Sequence, residues 1–411
     1  MNTRLKDYLV WVALPDGEQV AAADLRLETN RRGRHIMSGL RYRSEWLQHP
    51  DRYAVNPVHA PLDVDTFEWE TDHIPAVIDE VLPGRWERIV RQRAWAGRSD
   101  IDDLHAVLAD TGSAWRIGAM EILPPDHQPP ALNSQISMVD LEMIMAEIER
   151  TEAHLDPELE ALARLQAGSS AGGARPKVTI EHNGAWMVKF PRQDDVFNYP
   201  RVEHACLRLA NRAGLDVVES RVETVGGKDL LFVRRFDVTR SGGRRGVVSA
   251  NAFLKDPQHH NDPMHAAYED LVRCIRRLST SVEQDLKQIY AQMLFNEAIN
   301  NRDDHLKNFA FLLEAGKVRL SPAFDLVPSE ALGAFPQLDF NHGTVLPEPG
   351  TKAAIAAASA FGLAPGEARR INEQLISALT DFRSVAEEAG LSDLDRRFLR
   401  QRFPRQFGQD D

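Results

Sequence analysis

Apolar and polar residues alternate along the chain up to about Trp69. The apolar run Val10–Leu14 ends at Pro15-Asp16-Gly17, which is a turn sequence. A period of two residues is typical of strands with one buried face, and turn residues between such runs connect them. The sequence therefore predicts a small β-rich module at the start of the chain.

Helical periodicity follows this module. Apolar residues within Val77–Leu82 share one helical face, and Trp86–Val90 continue that face beyond Pro83-Gly84. The stretch Met138–Leu165 is rich in Glu, Ala, Leu and Met, which strongly favours helical structure. It ends at Ala167–Gly173, where the Gly- and Ser-rich composition predicts the main domain boundary.

Strand signals resume after the boundary. Val178–Ile180 and Trp186–Phe190 flank Asn183-Gly184, and an Asn-Gly pair between two apolar runs predicts a hairpin. A helix over about Glu203–Ala213 and a strand through Leu230–Val233 follow. The remaining chain is predicted to be mostly helical, and its clearest helix leads to Asn300 with a core-facing stripe made of Leu286, Ile289, Tyr290, Met293 and Leu294.

Composition places the chain among ordinary globular proteins. Its 411 residues are 43% hydrophobic and 27% charged, and they are enough for one large bilobal unit or for two to three domains. The formal net charge of −12 repels phosphate backbones, which argues against nucleic-acid binding by this chain alone. Two local basic groups, Arg240–Arg245 and Arg396–Arg405, are interpreted as a solvated loop and an amphipathic helix.

The sequence also carries signals about its compartment. The start of the chain lacks the charged, apolar and small-residue regions of a signal peptide, and no apolar stretch approaches the length of a membrane span. Cys206 and Cys274 each lie in an apolar helical pattern, which favours core packing over a disulfide. We therefore expect a cytoplasmic protein.

The sharpest chemical signal is the polar segment 301–308 directly after the predicted helix. Asp303 and Asn308 are five residues apart, and Asp325 follows two short predicted strands. Phosphoryl transfer needs a carboxylate that accepts the proton of the attacking hydroxyl and oxygen ligands for Mg²⁺. An Asp and an Asn at this offset, followed by a second Asp, have the order of the catalytic and metal-binding residues of kinases.

Less specific interpretations of this segment remain open. Loops rich in Asp and Asn are common as turns and helix caps. Adjacent residues such as Asp303, Asp304 and His305 cannot all point at one ion, which disfavours a zinc site. His305 is expected to orient the loop rather than to act as a base or a metal ligand.

The preceding half supplies the other parts of a nucleotide site. A Gly-rich loop, Ser170–Lys177, opens a strand, and its backbone N–H groups would be able to approach phosphate oxygens. Lys189 lies in the following strand between apolar neighbours, where an ammonium group is costly unless it is paired with phosphates or with Glu203. The alternatives are a flexible linker for the loop and a solvent-facing edge-strand side chain for Lys189.

With these residues assembled, the chain resembles the HipA family of serine/threonine kinases over essentially its full length. The resemblance is carried by NRDDHLKNFAFL, LSPAFDLVPS, SAGGARPK, WMVKFP and LLFVRRFDV, and in the N-terminal region by EWLQHPDRYAVNPVHAPL and RIGAMEILP. It implies an α+β, bilobal, protein-kinase-like fold with an added N-terminal β-rich subdomain and a mostly helical C-terminal lobe. The domain limits expected from it are 1–120 for the N-terminal subdomain, 121–167 for a helical connector, 168–250 for the nucleotide-binding part and 251–411 for the helical lobe.

The resemblance also implies roles for individual residues. Asp303 would be the catalytic base, Asp325 and Asn308 would hold Mg²⁺, and Lys189 would hold the phosphates of ATP. Glu203 would pair with Lys189. The remaining residues expected around the nucleotide are Gly172, Gly173, Ala174, Arg175, Pro176 and Lys177 in the loop, Arg234, Arg235 and Phe236 in the adenine hinge, and His305 and Lys307 beside Asn308.

Regulation, substrate and partner follow from the same resemblance. Ser170, or its neighbour Ser169, would be autophosphorylated, and the added dianion would repel ATP from a loop that cradles phosphates. The substrate would be a protein of the translation machinery, of the aminoacyl-tRNA synthetase class. The partner would be a small helix-turn-helix antitoxin, which would bring the complex to DNA.

Two departures from the family pattern concern substrate and partner rather than catalysis. The segment around Trp86 reads PGRWER instead of a PDGWGR-like sequence, and Arg234 stands where some members have an acidic residue. A small-molecule phosphotransferase and an inactive nucleotide-binding module stay as alternatives. His259, His260 and His265 are interpreted as surface-loop residues without an assigned role.

Overall fold

The computed structural model describes residues 3–110, 116–134, 136–169, 173–255, 266–331 and 335–403. Its strands and helices divide between two compact units. The first comprises Met1–Lys189, Arg234–Asp262 and Phe311–Lys317, and the second comprises Phe190–Val233, Pro263–Ala310 and Val318–Asp411. His259, His260 and His265 lie outside the described residues.

The strands, in chain order, are β1 Thr3–Ala13, β2 Gln19–Asn30, β3 His35–Tyr42, β4 Thr66–Glu70, β5 Met120–Leu123, β6 Lys177–Glu181, β7 Ala185–Lys189, β8 Ser220–Val225, β9 Lys228–Arg234, β10 Gly246–Ser249, β11 Ala310–Glu314 and β12 Lys317–Leu320. The helices are α1 Ser44–Gln48, α2 Ala76–Asp79, α3 Arg85–Ala94, α4 Leu104–Asp110, α5 Leu141–Glu152, α6 Leu159–Gly168, α7 Tyr199–Arg212, α8 Ala250–Leu254, α9 Tyr268–Leu278, α10 Val282–Ala298, α11 Lys352–Ala357, α12 Pro365–Thr380, α13 Phe382–Glu388 and α14 Asp393–Arg400. Antiparallel sheets and many helices make this a mixed α and β fold, as predicted. No helix within the described ranges combines the length and apolarity needed to span a lipid bilayer.

The predicted β-rich module is a five-stranded antiparallel sheet in the order β4-β3-β2-β1-β5. Alternate residues of β1 point into the core, and Val10 and Val12 are fully buried. The turn after β1 closes at Gly17, whose φ of 97° lies in the region that favours glycine. The alternating pattern of the sequence therefore predicted this part of the fold correctly.

The stretch 138–165, predicted to be strongly helical, is helical in three separate pieces. The chain forms a single 3-10 turn at Met138–Asp140 and then two helices, α5 and α6. His154 ends α5 with a positive φ of 55°, and Glu158 caps α6 by accepting hydrogen bonds from the backbone of Glu160 and Ala161. Glu147 on α5 is fully buried and accepts the backbone N–H of Glu158 at 3.0 Å, which fixes the break.

The first unit also contains the predicted hairpin. β6 and β7 pair antiparallel with Val178 opposite Val188 and Ile180 opposite Trp186. Asn183 and Gly184 form the turn with φ values of 51° and 126°, so the Asn-Gly prediction is confirmed. The basic run 240–245 is not wholly solvated, because Arg244 is 2% exposed and its backbone donates to Leu14.

The second unit is built around α10. The predicted stripe is buried, but Gln292, Phe295 and Asn296 on other faces are buried as well, so α10 is a central helix rather than a surface one. The helix predicted from residue 203 begins earlier, at Tyr199, where Asn198 caps it by accepting the N–H of Arg201. Cys206 and Cys274 are buried free thiols of this unit, as predicted, and burial raises the pKa of Cys274 to about 11.

Candidate functional site

The segment that follows α10 is an irregular loop held by specific hydrogen bonds. Asn300 has a φ of 57°, which ends the helix in a left-handed conformation that Asn tolerates well. Its carbonyl accepts the N–H of Ser329, and the Ser329 hydroxyl accepts the N–H of Arg302, both at 2.9 Å. Arg302 in turn pairs with Glu297 on the last turn of α10. The loop is therefore fixed at its start to both neighbouring segments.

Asn308 closes the other end of the loop. Its Nδ2 donates to the carbonyl of Asp303 at 2.8 Å, and its backbone N–H donates to the carbonyl of His305 at the same distance. The side chain is 8% exposed. Because the amide nitrogen is used within the loop, Oδ1 is the atom of Asn308 that remains for a cation.

Asp303 and Asp325 are close enough to interact electrostatically. The surrounding protein partly desolvates the Asp303 carboxylate, and this raises its pKa; the nearby Asp325 raises it further and His305 lowers it. The Asp303 side chain nevertheless keeps 71% of its accessible area, so its oxygens reach solvent. An exposed carboxylate with a raised pKa beside a second carboxylate suits proton transfer and cation binding.

Asp325 occupies a strained backbone position. Its φ of 59° is uncommon for a residue with a side chain. Ala323, two residues earlier, anchors this segment, because its N–H donates to the carbonyl of Asp216 at 2.9 Å and its carbonyl accepts the N–H of Val218 at 3.0 Å. Such strain persists where the surroundings enforce it, and it is often found at functional sites.

The oxygen donors of this loop fit Mg²⁺ better than a transition metal. Among the described residues, no group of three or more His, Cys, Asp or Glu side chains could hold a metal ion. Mg²⁺ usually needs only one or two carboxylates, and it completes its coordination with water and phosphate oxygens. Asp325 and the amide oxygen of Asn308 are donors of this hard type.

His305 and Lys307 lie on the same loop with different exposures. The His305 ring is 43% exposed, and its Nε2 lies 3.9 Å from Asp303 Oδ1. Its Nδ1 is buried and has no hydrogen-bond partner within the described part of the chain. Lys307 is exposed. His305 thus lies beside the candidate base, and its role in orienting the loop stays a prediction.

Asp304 differs sharply from its neighbour Asp303. It is 1% exposed, Oδ2 accepts the hydroxyl of Tyr268 at 2.9 Å, and Oδ1 accepts the N–H of Gln337 at 3.2 Å. Burial raises its pKa to about 6. Since both oxygens of Asp304 are occupied inside the protein, only Asp303 of the two is available to a substrate.

The sequence interpretation missed the residues that hold Asp304. Asn296 on α10 donates to the Tyr268 hydroxyl at 3.0 Å, and Asn301 donates to Asn296 at 3.1 Å. A signal was present, because Asn296 falls three residues after Met293, at helical spacing from the predicted core-facing stripe. A polar residue at a core position usually belongs to a hydrogen-bonded network.

In the first unit, strand register brings two lysines together. Lys177 and Lys189 are direct partners across the β6–β7 hairpin, on the same face, and they are only 9% and 7% exposed. Two ammonium groups opposite each other on a sheet repel, and their burial requires anionic groups nearby. The hairpin therefore places two cationic side chains side by side.

The described part of the Gly-rich loop packs against one of these lysines. Gly173 has a φ of 83°, and a Cβ added there would lie 2.6 Å from the Lys177 ammonium nitrogen. The carbonyl of Gly173 accepts the N–H of Trp86 at 3.0 Å. Ala174 is exposed, Arg175 half-buried and Pro176 buried. Ser170 and Gly172 lie outside the described residues, and Ser169 ends α6 with a buried hydroxyl oxygen.

The predicted hinge, residues 234–236, follows β9. The guanidinium of Arg234 lies over the Trp186 ring, 5.1 Å from its centroid, and donates to the carbonyl of Asn183. Arg235 is buried and forms a two-pronged ion pair with Asp237, with donor–acceptor distances of 3.1 and 2.6 Å. The side chains of Arg234 and Arg235 make contacts within the protein. The predicted contact with adenine would therefore come from the backbone of residues 234–236.

Glu203 is fully buried on α7 in the second unit, whereas Lys189 belongs to the first unit. Their ion pair therefore stays a prediction. The second unit contains one cluster of predicted site residues, made of Asp303, His305, Asn308 and Asp325. The first unit contains another, made of Gly173, Lys177 and Lys189.

Comparison with known proteins gives consistent results. Putative kinase Y4mE of Sinorhizobium fredii is 24% identical over 319 residues, which cover 72% of this chain and 74% of that protein. Toxin YjjJ of Escherichia coli is 29% identical over 185 residues, which cover 41% and 40% of the two chains.

The fold has a solved counterpart, and a family model covers the second half of the chain. A chain of the Shewanella oneidensis MR-1 complex of HipA, HipB and operator DNA superposes with a TM-score of 0.63 at 16% identity, over 95% of this chain and 94% of that one. The family model described as HipA-like C-terminal domain matches residues 169–382, which is more than half of the 411 residues. The chain therefore belongs to the HipA-like C-terminal domain family.

Proposed function

We propose that this chain is an ATP-dependent serine/threonine protein kinase that acts as the toxin of a toxin–antitoxin pair. The observation that carries the proposal is the loop of the second unit, where Asp303 and Asn308 are hydrogen-bonded to each other and Asp325 raises the pKa of Asp303. Relatives named as a toxin and as a putative kinase support the same class of activity.

Asp303 would accept the proton of the attacking hydroxyl. Its exposed carboxylate would accept a hydrogen bond from a serine or threonine hydroxyl and orient the oxygen toward the γ-phosphorus of ATP. The oxygen–phosphorus bond forms as the bond from the γ-phosphorus to the bridging oxygen of ADP breaks, and the hydroxyl proton passes to Asp303. Asp304 would not substitute for it, because that carboxylate is buried and already accepts two hydrogen bonds.

Asp325 and Asn308 would hold Mg²⁺ through their oxygen atoms. The bound cation neutralises charge on the transferring phosphates. The positive φ of Asp325 and the internal hydrogen bond of Asn308 fix both residues before the nucleotide binds. Such preorganisation lowers the cost of assembling the site at the moment of reaction.

Lys189 and the loop that ends at Lys177 would supply the phosphate-binding groups. Both lysines lie on one face of the hairpin, so their ammonium groups would be able to bind the same polyphosphate. Gly173 leaves room for the Lys177 ammonium where any other residue would place a Cβ. Adenine would be held by the backbone of residues 234–236, with His305 and Lys307 near the phosphates.

Autophosphorylation at the Gly-rich loop would switch the kinase off. Ser169 keeps its hydroxyl oxygen buried at the end of α6, so we favour Ser170 as the acceptor. A phosphate there would add a dianion next to the groups that bind ATP and would repel the nucleotide.

The protein substrate would belong to the translation machinery, with aminoacyl-tRNA synthetases as the first class to test. A small helix-turn-helix antitoxin would be the partner, and it would supply the contacts to DNA that a chain of net charge −12 disfavours. The Shewanella structure contains HipA, HipB and operator DNA, which supports this choice of partner.

The proposal is tested by phosphate transfer from radiolabelled Mg-ATP, with the chain itself and purified synthetases as acceptors. Asp303→Ala and Asp325→Ala should each lower transfer by about 10³-fold or more and relieve growth arrest, with unfolding curves close to the wild type. Asp393→Ala, an exposed carboxylate on the first turn of α14, is the control and should keep full activity. Transfer to aminoglycosides instead of proteins would indicate a small-molecule phosphotransferase, and an arrest that persists in Asp303→Ala would refute the kinase mechanism.

A further inference from the structure

Buried hydrogen bonds connect the backbone of Asp303 to the carboxylate of Asp304 through three other side chains. The N–H of Asp303 donates to Asn301 Oδ1 at 3.2 Å, and Asn301 Nδ2 donates to Asn296 Oδ1 at 3.1 Å. Asn296 Nδ2 donates to the Tyr268 hydroxyl at 3.0 Å, and that hydroxyl donates to Asp304 Oδ2 at 2.9 Å. Since residues 303 and 304 are adjacent, these bonds form a closed ring, which we call the loop brace.

Every member of the loop brace that contributes a side chain is buried. Tyr268 is 0% exposed, Asn296 and Asp304 are 1% exposed, and Asn301 is 2% exposed. Buried polar groups lose the option of bonding to water, so each broken link would leave a donor or an acceptor unsatisfied. We therefore expect the buried hydrogen bonds of the brace to hold the loop more firmly than exposed contacts would.

The direction of each bond in the brace is fixed. Asp304 accepts from the Tyr268 hydroxyl on one oxygen and from the Gln337 N–H on the other. The hydroxyl hydrogen must point at Asp304, because the oxygen of Tyr268 accepts from Asn296. An amide at position 304 would turn a donor toward one of these partners, so Asp304→Asn would break one link of the brace.

The brace joins segments that are remote in sequence. Tyr268 begins α9, Asn296 lies on α10, and Gln337 precedes Asp339, whose carbonyl accepts the N–H of Tyr268 at 2.9 Å. Asp304 thus connects the loop to the start of α9 and to the segment around Asp339, which is itself hydrogen-bonded to the start of α9. A carboxylate at this position locks the loop against two elements at once.

We infer that Tyr268 and Asp304 are positioning residues that set the geometry of the Asp303 carboxylate through the loop brace. The inference rests on the proposed function for its kinetic consequence, because Asp303 matters as the base of that reaction. Neither residue touches the reacting atoms. Their loss would displace Asp303 and slow the chemical step while the phosphate-binding hairpin of the other unit stays unchanged.

The test compares two buried tyrosines of the same unit. Tyr268→Phe removes the hydroxyl that links Asn296 to Asp304. Tyr290→Phe is the matched control, since Tyr290 is also 0% exposed, donates to the carbonyl of Ala354 at 2.8 Å and accepts from Asn372 at 2.9 Å. Both variants lose one buried hydroxyl with two hydrogen bonds, and only the first belongs to the brace.

We expect Tyr268→Phe to lower kcat for phosphate transfer by about ten- to a hundredfold, with KM for ATP within about twofold of the wild type. Tyr290→Phe should keep the wild-type kcat while losing a similar amount of thermal stability. Asp304→Asn should resemble Tyr268→Phe, and the double variant should be little worse than either single one, because both break the same link. Equal kcat values for Tyr268→Phe and Tyr290→Phe would overturn the inference.

Amide hydrogen exchange separates this inference from the kinase proposal. Exchange in a peptide covering residues 301–304 should be faster in Tyr268→Phe than in the wild type, and unchanged in Tyr290→Phe. If the wild type transfers no phosphate at all, the proposed function fails and the exchange result still decides whether the brace holds Asp303. Identical exchange in the two tyrosine variants would refute the brace itself.

Discussion

The hairpin of the first unit and the Asp303 loop of the second place charged groups by different physical means. Lys177 and Lys189 face each other because β6 and β7 pair in a register that the local Asn-Gly turn sets. Asp303 is positioned through its neighbour Asp304, which accepts hydrogen bonds from distant parts of the chain: from the hydroxyl of Tyr268, 36 residues before it, and from the backbone of Gln337, 33 residues after it. The cations therefore depend on local sequence, whereas the carboxylate depends on tertiary structure.

The largest effect is expected from removing the charge of Lys189, one of the two lysines that lie opposite each other in the hairpin. Lys189→Met keeps an unbranched side chain of nearly the same length and deletes its charge, and it should lower phosphate transfer by about 10³-fold through a higher KM for ATP. Lys317→Met, which removes an exposed lysine at the start of β12, is the control and should leave ATP binding unchanged. Steady-state kinetics over a range of ATP concentrations measures the difference, and a loss in kcat alone would contradict a phosphate-binding role.

The second largest effect is expected in the pH dependence of stability at Asp304, which lies in the loop of the second unit. Burial raises the pKa of Asp304 from its ordinary value of 3.8 to about 6, so the folded state disfavours the ionised form. Stability from protonated Asp304 is complete below pH 3.8 and is lost as the pH rises through about 6, with a change of up to about 3 kcal/mol. The unfolding free energy of the wild type relative to Asp304→Asn should therefore fall between pH 4.5 and pH 7.5.

Asp229 provides the opposite case for the same measurement. Partial burial would raise its pKa, but hydrogen bonds from Arg201, Thr224 and Asn198 lower it to about 2. Its contribution is present above its ordinary pKa of 3.8 and is lost only as the pH falls through about 2. The difference between the wild type and Asp229→Asn should stay constant from pH 4.5 to pH 7.5, and a constant difference for Asp304→Asn would show that Asp304 titrates normally.

A third effect compares what the loop brace contributes to stability with what it contributes to kcat. Asn301→Ala removes the acceptor of the Asp303 N–H and the donor to Asn296, so it should cost about 1–3 kcal/mol of stability and lower kcat by about tenfold. Asn372→Ala is the control, because Asn372 is equally buried and bonds to Tyr290, Ala368 and Gly350. Denaturant unfolding and kcat measured together should show similar stability losses with a catalytic loss only in Asn301→Ala.

These two regions also explain what the sequence could and could not predict. The hairpin was predictable, because alternating apolar residues and an Asn-Gly turn act over a few residues. The order of Asp303, Asn308 and Asp325 predicted catalytic and metal-binding roles, which stay predictions, and the structure places Asp325 close enough to raise the pKa of Asp303. Local signals of this kind survive folding because they do not depend on distant partners.

The remaining features depend on tertiary contacts that leave little trace in sequence. Tyr268 and Asn296 bond to each other across 28 residues, and no periodicity marks either as part of a loop brace. The break between α5 and α6 depends on the buried carboxylate of Glu147, which resembles a surface residue in a helical pattern. The early start of α7 followed a rule that was readable in principle, an Asn cap at 198 with Pro200 on the first turn.

The smallest expected effect tests whether local geometry alone sets the position of the Lys177 ammonium. Gly173→Ala would place a Cβ 2.6 Å from that nitrogen at a φ of 83°, so it should cost about 1–2 kcal/mol and raise KM for ATP several-fold as Lys177 shifts. Gly17→Ala isolates the backbone part of the cost, because Gly17 has a φ of 97° with nothing within 4 Å of the added Cβ. Subtracting the two stability losses gives the contribution of the Lys177 contact. An unchanged KM for ATP in Gly173→Ala would mean that the Lys177 ammonium is not a phosphate ligand, and it would leave Lys189 as the lysine of the hairpin that binds the nucleotide.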